Sequence, residues 1–416
     1  MNIDSLLQPF QHFGIHLGLD RIDKLLEAMG NPHQNIPIIH VAGSNGKGSV
    51  CAYLSSILKT AGYRVGRYTS PHLIDWNERI CLNDEAIDTE KLIEILKYIQ
   101  GLIDILEEIP TQFEVITAAA WYYFWQSQVD IAVIEVGLGG RLDATNVCEY
   151  PLASVITSIS REHWQNLGPT ITDITREKAG ILKANCPAII GILPQEAQEV
   201  VANRAKELNC PTIWVKPGEK IAEHRARYED IEYTLPLLGD VQLINSALAI
   251  ATIKILQQKG WNISPLAIQT GIEATRWQGR IQWITWRNHR LLIDGSHNSA
   301  SSQVLRNYVD TLKQPILWIM GILATKDHED IFKVLLNSRD QLYLVPVPDH
   351  STAEPEYLAD LAHQVCPQLE TIKTFPDLFT ALETAIENND PQDSVIVLCG
   401  SLYLVGHLLG RSPIDC

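Results

Sequence analysis

Short apolar runs rich in β-branched residues alternate along this chain with longer stretches whose apolar positions recur at helical spacing. IPIIHVAG, YRVGRYTS, DIAVIEVG, ASVITSI and PAIIGIL read as strands. Among the intervening stretches, Val50, Leu54, Ile57, Leu58 and Ala61 share one helical face, and Gly62 supplies a stop. EKLIEILKYIQGLIDILEEI reads as one long helix, and Phe113 to Trp125 as the next. TQFE at 111–114 has the capping-box form at the start of that second helix, which accounts structurally for Thr111 and Glu114. From about Arg280 a second alternation begins, with HRLLIDG, PILWIMGI, QLYLVPV, TIKTF and DSVIVLCG as strands. The pattern predicts an α/β protein of two domains: residues 1–277 around a mainly parallel sheet covered by helices, and a smaller Rossmann-like α/β domain over 278–416. Two such domains imply a cleft in which a nucleotide and a second substrate meet.

Where the first strand turns into the first long helix, the chain reads GSNGKGS, residues 43–49. Amides at such a junction have no partner within the helix and face outward beside the positive end of its dipole. Gly46 and Gly48 let backbone approach an anion, Lys47 adds a charge, and Ser49 can offer a hydroxyl to magnesium. The spacing is shorter than that of the familiar P-loop. A turn that merely needs glycine is the plain alternative, but lysine and serine together favour phosphate.

Bulk properties narrow the partners. The chain has 416 residues and a net charge of −16 with no basic block, which argues against nucleic acid or an anionic membrane surface as partner. No apolar run is long enough to span a bilayer, and the N-terminus lacks the pattern of a signal peptide. Eight scattered cysteines without a C-x-x-C pair read as reduced thiols of a cytoplasmic protein. Neither half carries G-x-G-x-x-G, so a dinucleotide cofactor is not expected.

Other candidate groups stand at strand ends, where ligands of open α/β sheets bind. Glu135 closes DIAVIEVG and is either a magnesium ligand or a carboxylate satisfied by backbone amides. Ser70 and His72 in RYTSPHL, and Glu162 and His163 in ITSISREHW, are strand-end ligands or plain turn residues. Asp294, His297 and Asn298 follow HRLLIDG and suit ribose or phosphate contacts, or form a polar turn. Lys178 lies on a helix among Ala179, Ile181 and Leu182; residue chemistry alone predicts an ammonium that snorkels to solvent.

In family order over nearly the whole chain, LGLDRI, GSNGKGS, TSPHL, ERI, EVGLGGRLDATN, LGPTITDITREKAGI, INSALAI, IDGSHN and GSLYLVG resemble the folylpolyglutamate synthase/dihydrofolate synthase family of the Mur ligase superfamily. GKGS, in place of the GKT[ST] loop common in cell-wall Mur ligases, points to the folate branch. The resemblance implies a Mur-ligase-type P-loop domain and an ATP-dependent acid–amino-acid ligase. Such an enzyme phosphorylates a carboxylate of dihydropteroate or a reduced folate and couples the acyl phosphate to L-glutamate. It further implies ATP contacts from Ser44, Asn45, Gly46, Lys47, Gly48, Ser49, Asn245, Arg280 and Asp294, and Mg2+ held by Ser70, Glu135 and His163. Lys178 resembles the carbamylated lysine, acting with Lys47 and His163 in catalysis. Leu17, Gly18, Thr111, Leu142, Asp143 and Ala144 match the pteroate-binding region, and His297 is counted among the substrate-binding residues. Glu162-His163 stands where the family usually has Asp-His. A monomer with one or both ligase activities is expected. A nucleotide-dependent switch protein is the alternative from another class, and a cell-wall Mur ligase ranks below the folate branch.

Overall fold

The computed structural model describes residues 2–13, 17–104, 106–369, 371–388 and 394–411. Two compact units emerge, one of Met1–Pro236 with Gln242–Arg276, the other of Leu237–Val241 with Trp277–Cys416.

The first unit is built on an eight-stranded sheet. Its strands are β1 (Ile38–Ala42), β2 (Val65–Tyr68), β3 (Ile80–Leu82), β4 (Glu85–Ala86), β5 (Ile131–Glu135), β6 (Ala153–Ile156), β7 (Ala188–Ile190) and β8 (Thr212–Trp214). They lie in the order β4-β3-β2-β5-β1-β6-β7-β8. From β2 to β8 every pairing is parallel, while β3 and β4 add an antiparallel edge. Every residue of β1 and β5 is buried, as expected of parallel strands covered on both faces. Val41 pairs with Glu135 on one side and Val155 on the other, so the carboxyl ends of β5, β1 and β6 stand together.

Helix Lys47–Thr60 follows β1, and helices Thr89–Ile103 and Gln112–Gln126 follow the edge strands. Leu92, Ile95, Leu96 and Ile99 of the second join Val115, Ile116, Ala119 and Trp121 of the third in one apolar cluster. The periodicity predicts a longer second helix, through Ile109, but it stops at Ile103. Asp104, Glu107 and Glu108 would stand at the negative end of its dipole, and Pro110 lies just beyond. A small antiparallel sheet of β9 (Glu219–Ala222), β10 (Arg225–Tyr228) and β11 (Ile231–Thr234) was not anticipated, although burial alternates along β10 and β11 with period two.

The second unit has a six-stranded sheet of β12 (Gln282–Trp286), β13 (His289–Ile293), β14 (Ile316–Met320), β15 (Gln341–Leu344), β16 (Thr371–Thr374) and β17 (Val395–Cys399), ordered β12-β13-β17-β14-β15-β16. All but β12 run parallel. Its core centres on Trp318, Met320, Leu342, Leu344 and Val397.

Candidate active site

The loop after β1 runs into a helix whose N-terminal end is open. Gly46 adopts φ 87 at the N-terminus of helix Lys47–Thr60, and no side chain caps that end. The first amides of the helix therefore remain available to a ligand. A side chain on Gly43 is excluded, since its Cβ would lie 1.9 Å from Thr157 Oγ1. Lys47 folds back over the loop, its Nζ donating to Gly43 O at 2.9 Å and to Ser44 O at 3.3 Å.

The segment after β6 braces this loop. Ser44 N donates to Ser158 O at 2.8 Å, Asn45 N to Ser158 Oγ at 3.0 Å, and Thr157 Oγ1 to Asn45 O at 2.6 Å. The Ser44 hydroxyl donates to Ser160 O at 3.1 Å. Sequence reasoning missed Thr157, Ser158 and Ser160; their signal was a cluster of hydroxyls directly after a buried strand.

Lys178 overturns the expectation of a lysine reaching for water, being only 2% exposed. Its Nζ donates to Gly43 O at 3.0 Å and to Glu162 Oε1 at 2.8 Å. Gly140 packs so closely on its helix that an added Cβ would meet Glu177 O at 2.9 Å, which helps seal this face from solvent. Burial pushes the Lys178 ammonium below its ordinary range, against the pull of Glu162. Burial pushes the Glu162 carboxyl up, but Lys178, Lys47 and His163 outweigh it and hold it at about 2. Lys178 and Glu162 therefore form a buried pair beside the Gly43 carbonyl. His163, next to Glu162, has a left-handed backbone, φ 45, which is uncommon for a non-glycine residue. On the other side of β1, buried Glu135 accepts the Ser70 N–H at 3.3 Å.

A second cluster gathers three distant segments. Gly18 N donates to Leu142 O at 3.3 Å. Thr111 caps helix Gln112–Gln126 in a full capping box with Glu114, and Arg21 pairs with that buried carboxylate at 3.0 Å. Asp143 is buried, accepting Leu138 N–H at 2.8 Å on one oxygen and the Thr145 amide and hydroxyl on the other. Burial pushes its carboxyl up, and those bonds pull it back only in part. Ala144 is buried beside it.

In the second unit, Asp294 holds the turn after β13 by accepting Ile281 N–H and Ser296 N–H, both at 2.8 Å. Ile281 is β-branched yet has φ 43, a conformation this carboxylate helps to hold. The Arg280 guanidinium counters the rise that burial imposes on the Asp294 carboxyl. His297 Nδ1 lies 2.8 Å from Gly295 O.

Residues 41–253 match the model of the Mur ligase middle domain, and residues 279–411 that of the dihydrofolate synthetase C-terminal domain. The chain is 36% identical to folylpolyglutamate synthase of Lacticaseibacillus casei, over 92% of each sequence. It is 34% identical to dihydrofolate synthetase of Saccharomyces cerevisiae, over 95% of this chain and 97% of the relative. It belongs to the folylpolyglutamate synthase/dihydrofolate synthase family. Members of known structure include E. coli FolC in complex with DHPP and ADP, with a TM-score of 0.85 and 30% identity over 97% of this chain and 95% of that one. Folylpolyglutamate synthase of Mycobacterium tuberculosis complexed with ADP and AMPPCP gives 0.87 and 28%, over 98% and 99%.

Membership in this synthase family makes the chain an ATP-dependent, amide-forming ligase. Of the synthase residues expected around ATP, Ser44 to Ser49 and Asn245 share one place: a Cβ on Gly46 would meet Asn245 Oδ1 at 2.6 Å. Arg280, Asp294 and His297 gather in the second unit. Leu17, Gly18, Leu142, Asp143 and Ala144 lie along two segments joined by the Gly18–Leu142 bond. Among the described residues no three of His, Cys, Asp and Glu converge as a metal cage, and no helix is long and apolar enough to cross a membrane.

Proposed function

We propose that the chain joins L-glutamate to dihydropteroate, and further glutamate to the γ-carboxylate of reduced folates, using ATP. One observation carries this most directly: the glycine loop follows β1 and the segment of Leu142, Asp143 and Ala144 follows β5, and these two strands are neighbours in one sheet, paired Val41 to Glu135. A carboxylate held by that segment can be brought to a γ-phosphate held by the loop. The relatives from E. coli and Bacillus subtilis are both dihydrofolate synthase/folylpolyglutamate synthases, which supports assigning both activities.

The chemistry needs little beyond placement and charge. An acceptor carboxylate oxygen attacks the γ-phosphorus and ADP leaves; the glutamate amine then attacks the acyl carbon and phosphate leaves. Lys47 and the uncapped amides of its helix neutralise the phosphates, and fixed donors are effective because they need no reorganisation as charge moves. Mg2+ suits the donors present. Glu135 and Ser70 offer hard oxygens to a cation that takes phosphate oxygens and water as its other ligands. His163 is a third, softer donor. When bound, the cation would offset phosphate charge.

Lys178 fits the role of a carbamylated lysine, since burial favours the neutral amine that attacks carbon dioxide. Its pair with Glu162 must then open. We take the protein to act as a monomer in the cytoplasm, where a reducing setting keeps thiols such as Cys51, Cys81 and Cys399 free.

The test offers dihydropteroate and tetrahydrofolate separately, with ATP, Mg2+ and glutamate, and reads products by mass spectrometry. Glutamylation of both is expected. Nucleotide hydrolysis alone, indifferent to acceptor and glutamate, would refute the proposal.

A further inference from the structure

His40 has no part in the site so far, yet it stands where a polar side chain is least at home. It lies in the middle of β1, between Ile134 of β5 and Ser154 of β6, and is 1% exposed. A buried imidazole there is tolerated only if hydrogen-bonded. Its Nε2 lies 2.9 Å from Thr145 Oγ1, and Thr145 Oγ1 lies 2.5 Å from Asp143 Oδ1.

The direction of these bonds follows from what each group can do. The Asp143 carboxylate only accepts, so the single hydroxyl proton of Thr145 goes to it. The Thr145 oxygen must then accept from His40, which requires the proton on Nε2. Burial, aided by Lys183, holds His40 at about 3 and hence neutral, consistent with one fixed tautomer. A one-way chain results, from imidazole N–H to hydroxyl to carboxylate. Its origin lies three residues before Gly43, on the strand that carries the phosphate loop.

We infer that His40, acting through Thr145, is a positioning residue that orients Asp143 for the acceptor and ties the acceptor segment to the strand bearing the phosphate loop. This rests on the assignment of Asp143 to the acceptor in the proposed function. Without the imidazole donor the buried Thr145 oxygen loses a hydrogen bond, and the Thr145–Asp143 pair loses its tie to β1.

Steady-state kinetics of the full chain test this, with dihydropteroate and tetrahydrofolate as acceptors in turn. His40→Gln keeps an N–H near the Nε2 position, whereas His40→Leu removes it at similar size. Thr145→Ser keeps the hydroxyl and Thr145→Val removes it. His40→Leu and Thr145→Val should each raise the acceptor KM about tenfold or more, with the KM for ATP within about twofold. Combining them should add little, because both break one chain. His40→Gln and Thr145→Ser should stay within about threefold of wild type. If His40→Leu does not fold, the Thr145 pair decides. An unchanged acceptor KM, an equal rise for ATP, or a His40→Gln protein as impaired as His40→Leu would overturn the inference. A wild-type protein that uses neither acceptor would overturn the proposed function, and this inference with it.

Discussion

Acidification should expose the cost of burying His40. Its folded-state pKa, about 3, lies far below the 6.5 of an ordinary histidine. The unfolded chain therefore binds the extra proton first as pH falls, and each pH unit in that interval costs about 1.4 kcal/mol. Because the folded pKa is depressed, stability from the neutral imidazole is fully present above about pH 6.5 and is lost progressively towards pH 3. The complete loss is on the order of 4–5 kcal/mol, and between pH 6.5 and 5 it is about 2 kcal/mol. Carboxylates and other histidines add their own slopes, so the informative quantity is the difference between wild type and His40→Gln, which has no imidazole to titrate. Urea unfolding followed by tryptophan fluorescence at pH 7, 6 and 5 provides it; buried Trp121 reports on the same unit. Wild type should lose about 2 kcal/mol more than the variant between pH 7 and 5. Parallel pH profiles for the two proteins would refute the reasoning, because they would mean that His40 titrates as if exposed.

Other perturbations address the reaction itself. Lys47→Ala removes a charge from the loop and should cut turnover by about ten- to a hundredfold, read as ADP release with both substrates saturating; near-normal turnover would make the loop structural only. Gly46→Ala forces a side chain into φ 87 and against Asn245 Oδ1, so it should cost roughly 1–3 kcal/mol of stability and weaken ATP binding by calorimetry. An ATP affinity equal to wild type would count against the loop geometry. Glu135→Gln is nearly isosteric but uncharged, and the Mg2+ concentration for half-maximal rate should rise; an unchanged Mg2+ curve would exclude Glu135 as a ligand. Lys178→Ala should lose activity, and a small carboxylate should restore part of it if a carbamate normally occupies that space; full activity without any additive would dismiss the carbamate.

Local features were legible in the sequence because their physics is local. Buried parallel strands show as apolar runs, helix faces as a 3.6-residue period, and the Thr111–Glu114 cap as a four-residue spacing. The turn from β1 into the next helix shows itself in the same way, through a glycine, Gly46, at a position of positive φ. Even within this range, the charge pattern after Ile103 overrode the apolar period. Tertiary structure alone decided what each polar group faces. Lys178 snorkels to solvent or is buried according to what packs over its helix, and the partner that permits burial, Glu162, comes from a different strand end. Thr157, Ser158 and Ser160 brace a loop more than a hundred residues earlier in the chain. His40 looks like one polar interruption of an apolar run until the sheet places Thr145 and Asp143 beside it. A lone polar residue in a sequence carries no record of its partner, because hydrogen bonds and desolvation depend on distances that only the folded chain sets.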